Sequence, residues 1–149
     1  MIAGAGANQI GNKGAVFLAS FIESASSLKM LDLHNNNIGD EGLWSILQAA
    51  DKAAGGTLHR SLEVLDMSRN QIRLSTTLYL PPTLQSLILK NNEIPESSAQ
   101  NLTAAVAACP KLTTIDLRGT WHNMLVTTKD DIVNWLQSPQ TKSQPLQDL

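Results

Sequence analysis

One eleven-position template recurs along the chain and constrains the fold more tightly than any single motif. It runs Leu28, Leu31, Leu33, Asn36, Ile38, returns as Leu62, Leu65, Met67, Asn70, Ile72, and again as Leu84, Leu87, Leu89, Asn92, Ile94. A looser copy reads Leu112, Ile115, Leu117, Thr120, with threonine where asparagine belongs. Alternating apolar residues suit a short strand with one buried face, and the apolar stripes that follow suit helices. Ala15, Leu18, Ala19 and Ile22 form one such stripe, and Leu43, Ile46, Leu47 and Ala50 repeat it one unit later. Neither element buries its apolar face alone. Stacked units bury a continuous core between a parallel sheet and a layer of helices.

The spacing varies along the chain. Asn8 to Gly14 matches Asn36 to Gly42 at a shift of 28, the next asparagine follows 34 residues after Asn36, and the one after that 22 residues later. The 22-residue interval holds Pro81-Pro82 and several threonines, which predicts an extended or irregular crossing rather than a helix. Pro95 is placed to open a further helix that runs to Cys109-Pro110. From these signals residues 1–7 are expected to be a flexible lead to a first unit whose strand is missing, and residues 8–126 to be the repeats. A helix over 127–138 is expected to cap the last repeat, its Thr128 and Asp131 at capping-box spacing, and the polar stretch 139–149 to be a disordered tail.

The repeats resemble leucine-rich repeats, and the 28-residue units with an Ile-Gly-x-x-Gly turn are similar to the ribonuclease-inhibitor-like subclass. The 22-residue unit is closer to the short repeats of bacterial effector proteins. The resemblance implies an α/β solenoid, a curved right-handed superhelix with its parallel sheet on the concave side, that serves as a non-enzymatic protein-binding module. Asn36, Asn70 and Asn92 sit where each strand turns away, where an amide with donor and acceptor serves turn backbone groups that no ladder reaches.

Strand alternation nominates the concave side chains. Met30, Val64, Ser86 and Thr114 precede the second leucine of each unit, and Asp32, Asp66, Ile88 and Asp116 lie between the paired leucines. Beyond them come His34, Ser68, Lys90 and Arg118, then Asn35, Arg69, Asn91 and Gly119. The expected protein-binding set is Asp32, His34, Asp66, Ser68, Arg69, Ile88, Lys90, Asp116 and Arg118. With strands about 4.8 Å apart, four of them make a face about 15–20 Å across, enough for a peptide or a loop. The bland alternative is a solvated face of self-paired charges, Asp116 with Arg118 and Asp66 with Arg69 or Lys90.

Two catalytic readings are weaker. Asp32, His34 and Ser68 fall on one face as a hydrolase triad would, but a smooth strand face supplies no oxyanion hole or substrate pocket. Arg73 follows the second full repeat, and some proteins of this family activate small GTPases through an arginine.

Composition narrows the partners. A net charge of −2 without a dense basic run argues against nucleic acid or an anionic membrane, and no stretch approaches membrane-spanning length. The single cysteine, Cys109, precludes an internal disulfide and points to a reducing, cytoplasmic setting. His59 and His122 lie far apart in the template, so no metal-ligand spacing appears and neither metal nor cofactor is expected. Another protein or peptide is the expected partner, with a subunit covering the uncapped N-terminal edge as a further one.

Overall fold

A computed structural model describes residues 1–25, 27–52 and 62–120, together with Asn134. Five three-residue strands, β1 (Ile2–Gly4), β2 (Met30–Asp32), β3 (Val64–Asp66), β4 (Ser86–Ile88) and β5 (Thr114–Asp116), form one parallel sheet in chain order. Helix α1 (Gly11–Ser24) joins β1 to β2, α2 (Asp40–Lys52) follows β2, and α3 (Ala99–Ala108) precedes β5 behind a 3-10 turn at Glu96–Ser98. The expected capping helix 127–138, the tail 139–149, His59 and His122 lie outside the described residues.

The template explains the register. Leu31, Leu65, Leu87 and Ile115 lie opposite one another across neighbouring strands, and all are buried. Leu33, Met67, Leu89 and Leu117 form a second buried row, and Ile38, Ile72 and Ile94 a third at the turns. Behind them the helices contribute Ala15, Ala19 and Ile22, then Leu43, Ile46 and Leu47, then Leu102 and Val106. The unit with Pro81-Pro82 has no helix and crosses in irregular form, as expected. It fills the same layer with Leu74, Leu78 and Leu80, so the core continues without helical backbone.

The first unit departs from expectation. Its strand is present: Ile2 pairs with Met30, Ala3 with Leu31 and Gly4 with Asp32. Residues 1–7, expected to be a flexible lead, therefore contain β1. Ala3 and Ala5 occupy the leucine positions and pack against the core only partly buried. Two alanines carry too little apolar area to show the pattern in the sequence.

Successive units are joined by side chains that serve a neighbour's backbone. The Asn36 Oδ1 accepts from the N–H groups of Asn8 and Ile10, at 2.8 and 3.3 Å, while its Nδ2 donates to the carbonyls of Ala5, Leu33 and His34. Asn70 does the same one unit later, accepting from Asn36 and Ile38 and donating to Leu33, Met67 and Ser68. Asn92 accepts from Ile72 and donates to Met67 and Leu89. Thr120 instead donates its hydroxyl to the Leu117 carbonyl in its own turn.

A second seam runs at the start of the helices. Asn12 accepts from the N–H groups of Gly39 and Gly42 and so caps α2 from the neighbouring unit. Gly42 permits this approach, because a Cβ there would lie 2.9 Å from that of Ala15 and 2.5 Å from Ile38 Cγ2. Asp40, one repeat after Asn12, accepts from the N–H groups of Arg73, Leu74 and Ser75 at 2.7–2.9 Å. Burial by itself raises the Asp40 carboxyl, but these three donors outweigh it and hold it below the usual carboxylate range.

A carboxylate lowered on folding contributes stability above its unfolded value of 3.8, and that contribution is lost as pH falls through the lower folded value. Asp40→Asn is expected to lower the urea midpoint at pH 7. The difference from wild type should shrink as the pH is taken down through 4 toward 2, and a difference that stays constant over that range would count against the clamp.

Candidate functional site

Register sets Asp32, Asp66, Ile88 and Asp116 side by side in the strands, with His34, Ser68, Lys90 and Arg118 two residues on and Arg69 in the turn beyond, and their surroundings divide them. Three carboxylates hold the strand ends. Asp32, Asp66 and Asp116 each accept, through Oδ1, from the backbone N–H two residues on, that of His34, Ser68 or Arg118, at 2.8–3.1 Å. Such short-range acceptance fixes the turn that leaves the strand. On β4 the equivalent position is Ile88, half-buried, which leaves an apolar gap in the acidic column.

The ends of the column are engaged within the chain. Asp116 takes Arg118 in a two-pronged pair, Nε to Oδ1 at 2.9 Å and Nη2 to Oδ2. That hydrogen bond is the main cause holding the Asp116 carboxyl below its ordinary value. At the other end Asp32 lies 2.7 Å from His34 Nδ1. Burial pushes the Asp32 carboxyl up, and the backbone and ring of His34 outweigh that and lower it.

The centre differs. Among the described residues, Asp66, Arg69 and Lys90 form no ion pair, so the Asp66 pairings with Arg69 or Lys90 anticipated from the sequence do not form. Arg69 is exposed and Lys90 half-buried, and the Arg69 N–H donates to the Lys90 carbonyl at 2.8 Å, which places the two cationic residues in adjacent units. Arg69 also has φ +55°, as do Asn35 and Asn91 at the same point of their units, with Ala7 at +60° and Gly119 at +72°. This left-handed turn is common to every unit, because the N–H at that position in the first four reaches the next unit's carbonyl. Asparagine and glycine accept the conformation readily, whereas arginine is strained in it.

An apolar row missing from the nominated set adjoins these charges. Register places Ile2, Met30, Val64, Ser86 and Thr114 side by side on this face, apolar in the first three and polar in the last two. Ile2 is 73% exposed, Met30 and Val64 half-buried. The signal was present in the sequence as the residue before each second leucine, but charge drew the selection to the columns beyond it.

The catalytic readings find no geometry. The His34 ring leans over Gly6, where a Cβ would meet ring atoms within 2.1–2.8 Å, so it is turned toward the first unit. No hydrogen bond joins it to Ser68, among the described residues, and the triad is not assembled. Arg73 is paired with Glu93 through Nε and Nη2 rather than projecting alone. No group of His, Cys, Asp or Glu suited to a metal occurs among the described residues. None of their helices is long and apolar enough to cross a membrane.

Comparison with known families agrees with this geometry. Two leucine-rich repeat family models match, one over residues 24–47 and the other over residues 61–82. With five parallel strands in chain order and helices on one side, the chain is an α/β leucine-rich-repeat solenoid. Repeats of this kind are generally protein–protein interaction modules and typically non-enzymatic. A comparison with curated proteins finds no match.

Arg69→Asn should relax the strained turn and stabilise the fold by about 0.5–1 kcal/mol, seen as a higher midpoint in urea. A destabilised variant would mean that the arginine side chain contributes more to folding than its conformation costs.

Proposed function

We propose that this chain is a non-enzymatic recognition module, a scaffold subunit of an intracellular assembly, that binds a partner protein across the strand face opposite its helices. The carrying observation is that two cations in adjacent units, Arg69 and Lys90, form no ion pair among the described residues, and that they stand near the half-buried apolar residues Ile88 and Val64 of the central strands. Among the described residues neither cation is held in an ion pair, although Lys90 helps to lower the Asp116 carboxyl by its charge, so they lose less by meeting an anionic partner than Arg118, which would first have to leave Asp116. The partner chemistry this favours is an extended segment with acidic residues next to apolar ones. Its apolar side chains would lie along Met30, Val64 and Ile88. Asp66 borders the cations and sets a like-charge penalty against a misregistered acidic ligand. Retention of strain at Arg69, where asparagine serves in two other units, agrees with use of its side chain in contact. An intracellular, reducing setting accords with Cys109, which is buried with its thiol donating to the Pro81 carbonyl.

The test is affinity capture read by mass spectrometry, comparing wild type with Arg69→Glu/Lys90→Glu and with the helix-surface control Lys13→Glu, each shown to be folded by circular dichroism. The double reversal is expected to lose the wild-type partner at least about tenfold while the control retains it. Equal capture by all three would place recognition elsewhere.

A further inference from the structure

The helix layer is one helix short between α2 and α3. The unit in between crosses in irregular form, so α1 and α2 are packed along one another whereas α2 and α3 are not. Both flanking helices turn a defined side toward this gap. On α2 it is marked by Asp40, which accepts from the N–H groups of Arg73, Leu74 and Ser75, and by Asp51, which accepts the Tyr79 hydroxyl at 3.3 Å. Trp44 stands seven residues before Asp51, two helical turns away on the same side, and is 50% exposed. On α3 the side is marked by Asn101, whose Nδ2 donates to the Leu74 carbonyl. Ala104 and Ala108 follow at three and seven residues on that side, and both are exposed.

The helices that do pack show what such sides are shaped to meet. α2 receives α1 over the buried Gly42 and Ala49, small residues seven apart that let the two backbones approach. α3 repeats that spacing toward the gap with Asn101 and Ala108, and Ala104 between them keeps the wall low. On α1 the side facing α2 is marked by the pair of Glu23 with Lys52, and Val16 lies seven residues before Glu23. Trp44 holds the place of Val16 on α2, at the shift of 28, where a neighbouring helix would be met. Its neighbour is instead the crossing, whose Ser75, Thr76 and Thr77 are exposed and whose Tyr79 is 53% exposed. The charge on this side is acidic. Among the described residues Asp40 and Asp51 form no ion pair, while the nearby Arg73 is held by Glu93.

We infer that this gap is a docking groove for an amphipathic helix of a partner protein, apolar on its inner side and carrying lysine or arginine near both ends. Its apolar stripe would cover Trp44 and Tyr79 and approach α3 over Ala104 and Ala108. The helical form follows from the walls, since an aromatic on one helix and small residues on the other fit a third helix laid between them. An extended segment would find no strand edge on this side of the molecule to pair with. The basic ends follow from Asp40 and Asp51, eleven residues apart on one side of α2, about 16 Å along a helix axis. Cations at that spacing would meet both carboxylates. The groove lies on the helix side of the solenoid, so the inference does not depend on which residues of the strand face bind a partner.

The probe is a fluorescently labelled Leu/Lys peptide of about 14 residues, with leucines at i, i+3, i+4 and i+7 and lysines elsewhere. It is titrated beside a scrambled-order isomer and a Leu/Glu peptide of the same pattern. Docking predicts that the patterned Leu/Lys peptide binds at least about tenfold more tightly than either control. Trp44→Ala and Ala104→Glu/Ala108→Glu, each confirmed folded by circular dichroism, should weaken that binding at least about tenfold. The second does so although it adds negative charge, which separates a blocked groove from loose attraction of lysines. Arg69→Glu/Lys90→Glu should not weaken it, which separates the groove from the strand face. Equal binding of the three peptides, or tight binding that survives both groove variants, overturns the inference. So does self-association of the free chain that the groove variants abolish, because a second copy would then fill the gap.

Discussion

The side-chain amides of Asn36, Asn70 and Asn92 carry the stacking of this fold. A three-residue strand makes too few ladder hydrogen bonds to hold a unit in place, and the chain leaves the sheet through a turn whose backbone groups face inward. Burying those groups unpaired would cost about 1–3 kcal/mol each. Each asparagine resolves this for two units at once. Asn70 accepts from two N–H groups of the unit before it and donates to carbonyls of both units. Thr120, at the same position, bonds within its own turn among the described residues. Asn12 and Asp40 do related work at the helix starts, where each serves backbone donors of the unit that follows.

That same turn shapes the proposed binding surface. Because it forces a left-handed residue into each unit, it sets where Asn35, Arg69 and Asn91 stand along the rim of the sheet. The aspartates just before it are drawn into holding the strand end, which leaves them partly occupied as ligand-binding groups. Charge available for a partner therefore concentrates where the pattern is broken. Ile88 replaces an aspartate, Arg69 replaces an asparagine, and Lys90 has no carboxylate at its own strand end. Departures from the repeat, rather than the repeat itself, distinguish this surface.

The sheet, its register and the helix-free crossing were legible because leucines at fixed offsets and Pro81-Pro82 speak directly to burial and backbone geometry. β1 was not, since Ala3 and Ala5 stand where leucines mark the other strands. The face of the sheet could be listed from alternation alone, yet which of its charges pair could not. Asp116 and Arg118 meet because they lie two apart on one strand, whereas Asp66 stays clear of both Arg69 and Lys90. The turn of His34 toward Gly6 was hidden for a similar reason, for it depends on space in the neighbouring unit. Asp40 with the backbone of Arg73 to Ser75 joins residues more than thirty apart, a contact that no local pattern announces.

The coupling role of the asparagine series is tested most directly by Asn70→Ala, followed by urea denaturation and amide hydrogen exchange. The change strands the N–H groups of Asn36 and Ile38, while the carbonyls of Leu33, Met67 and Ser68 keep a second donor each, Asn36 Nδ2, Asn92 Nδ2 and the Asn35 N–H. Loss of at least about 3 kcal/mol is expected, with faster exchange at Asn36 and Ile38, in the unit before the substitution. A loss below about 1 kcal/mol with exchange at those two amides unchanged would contradict the account, because the units would then be held together by the leucine core alone.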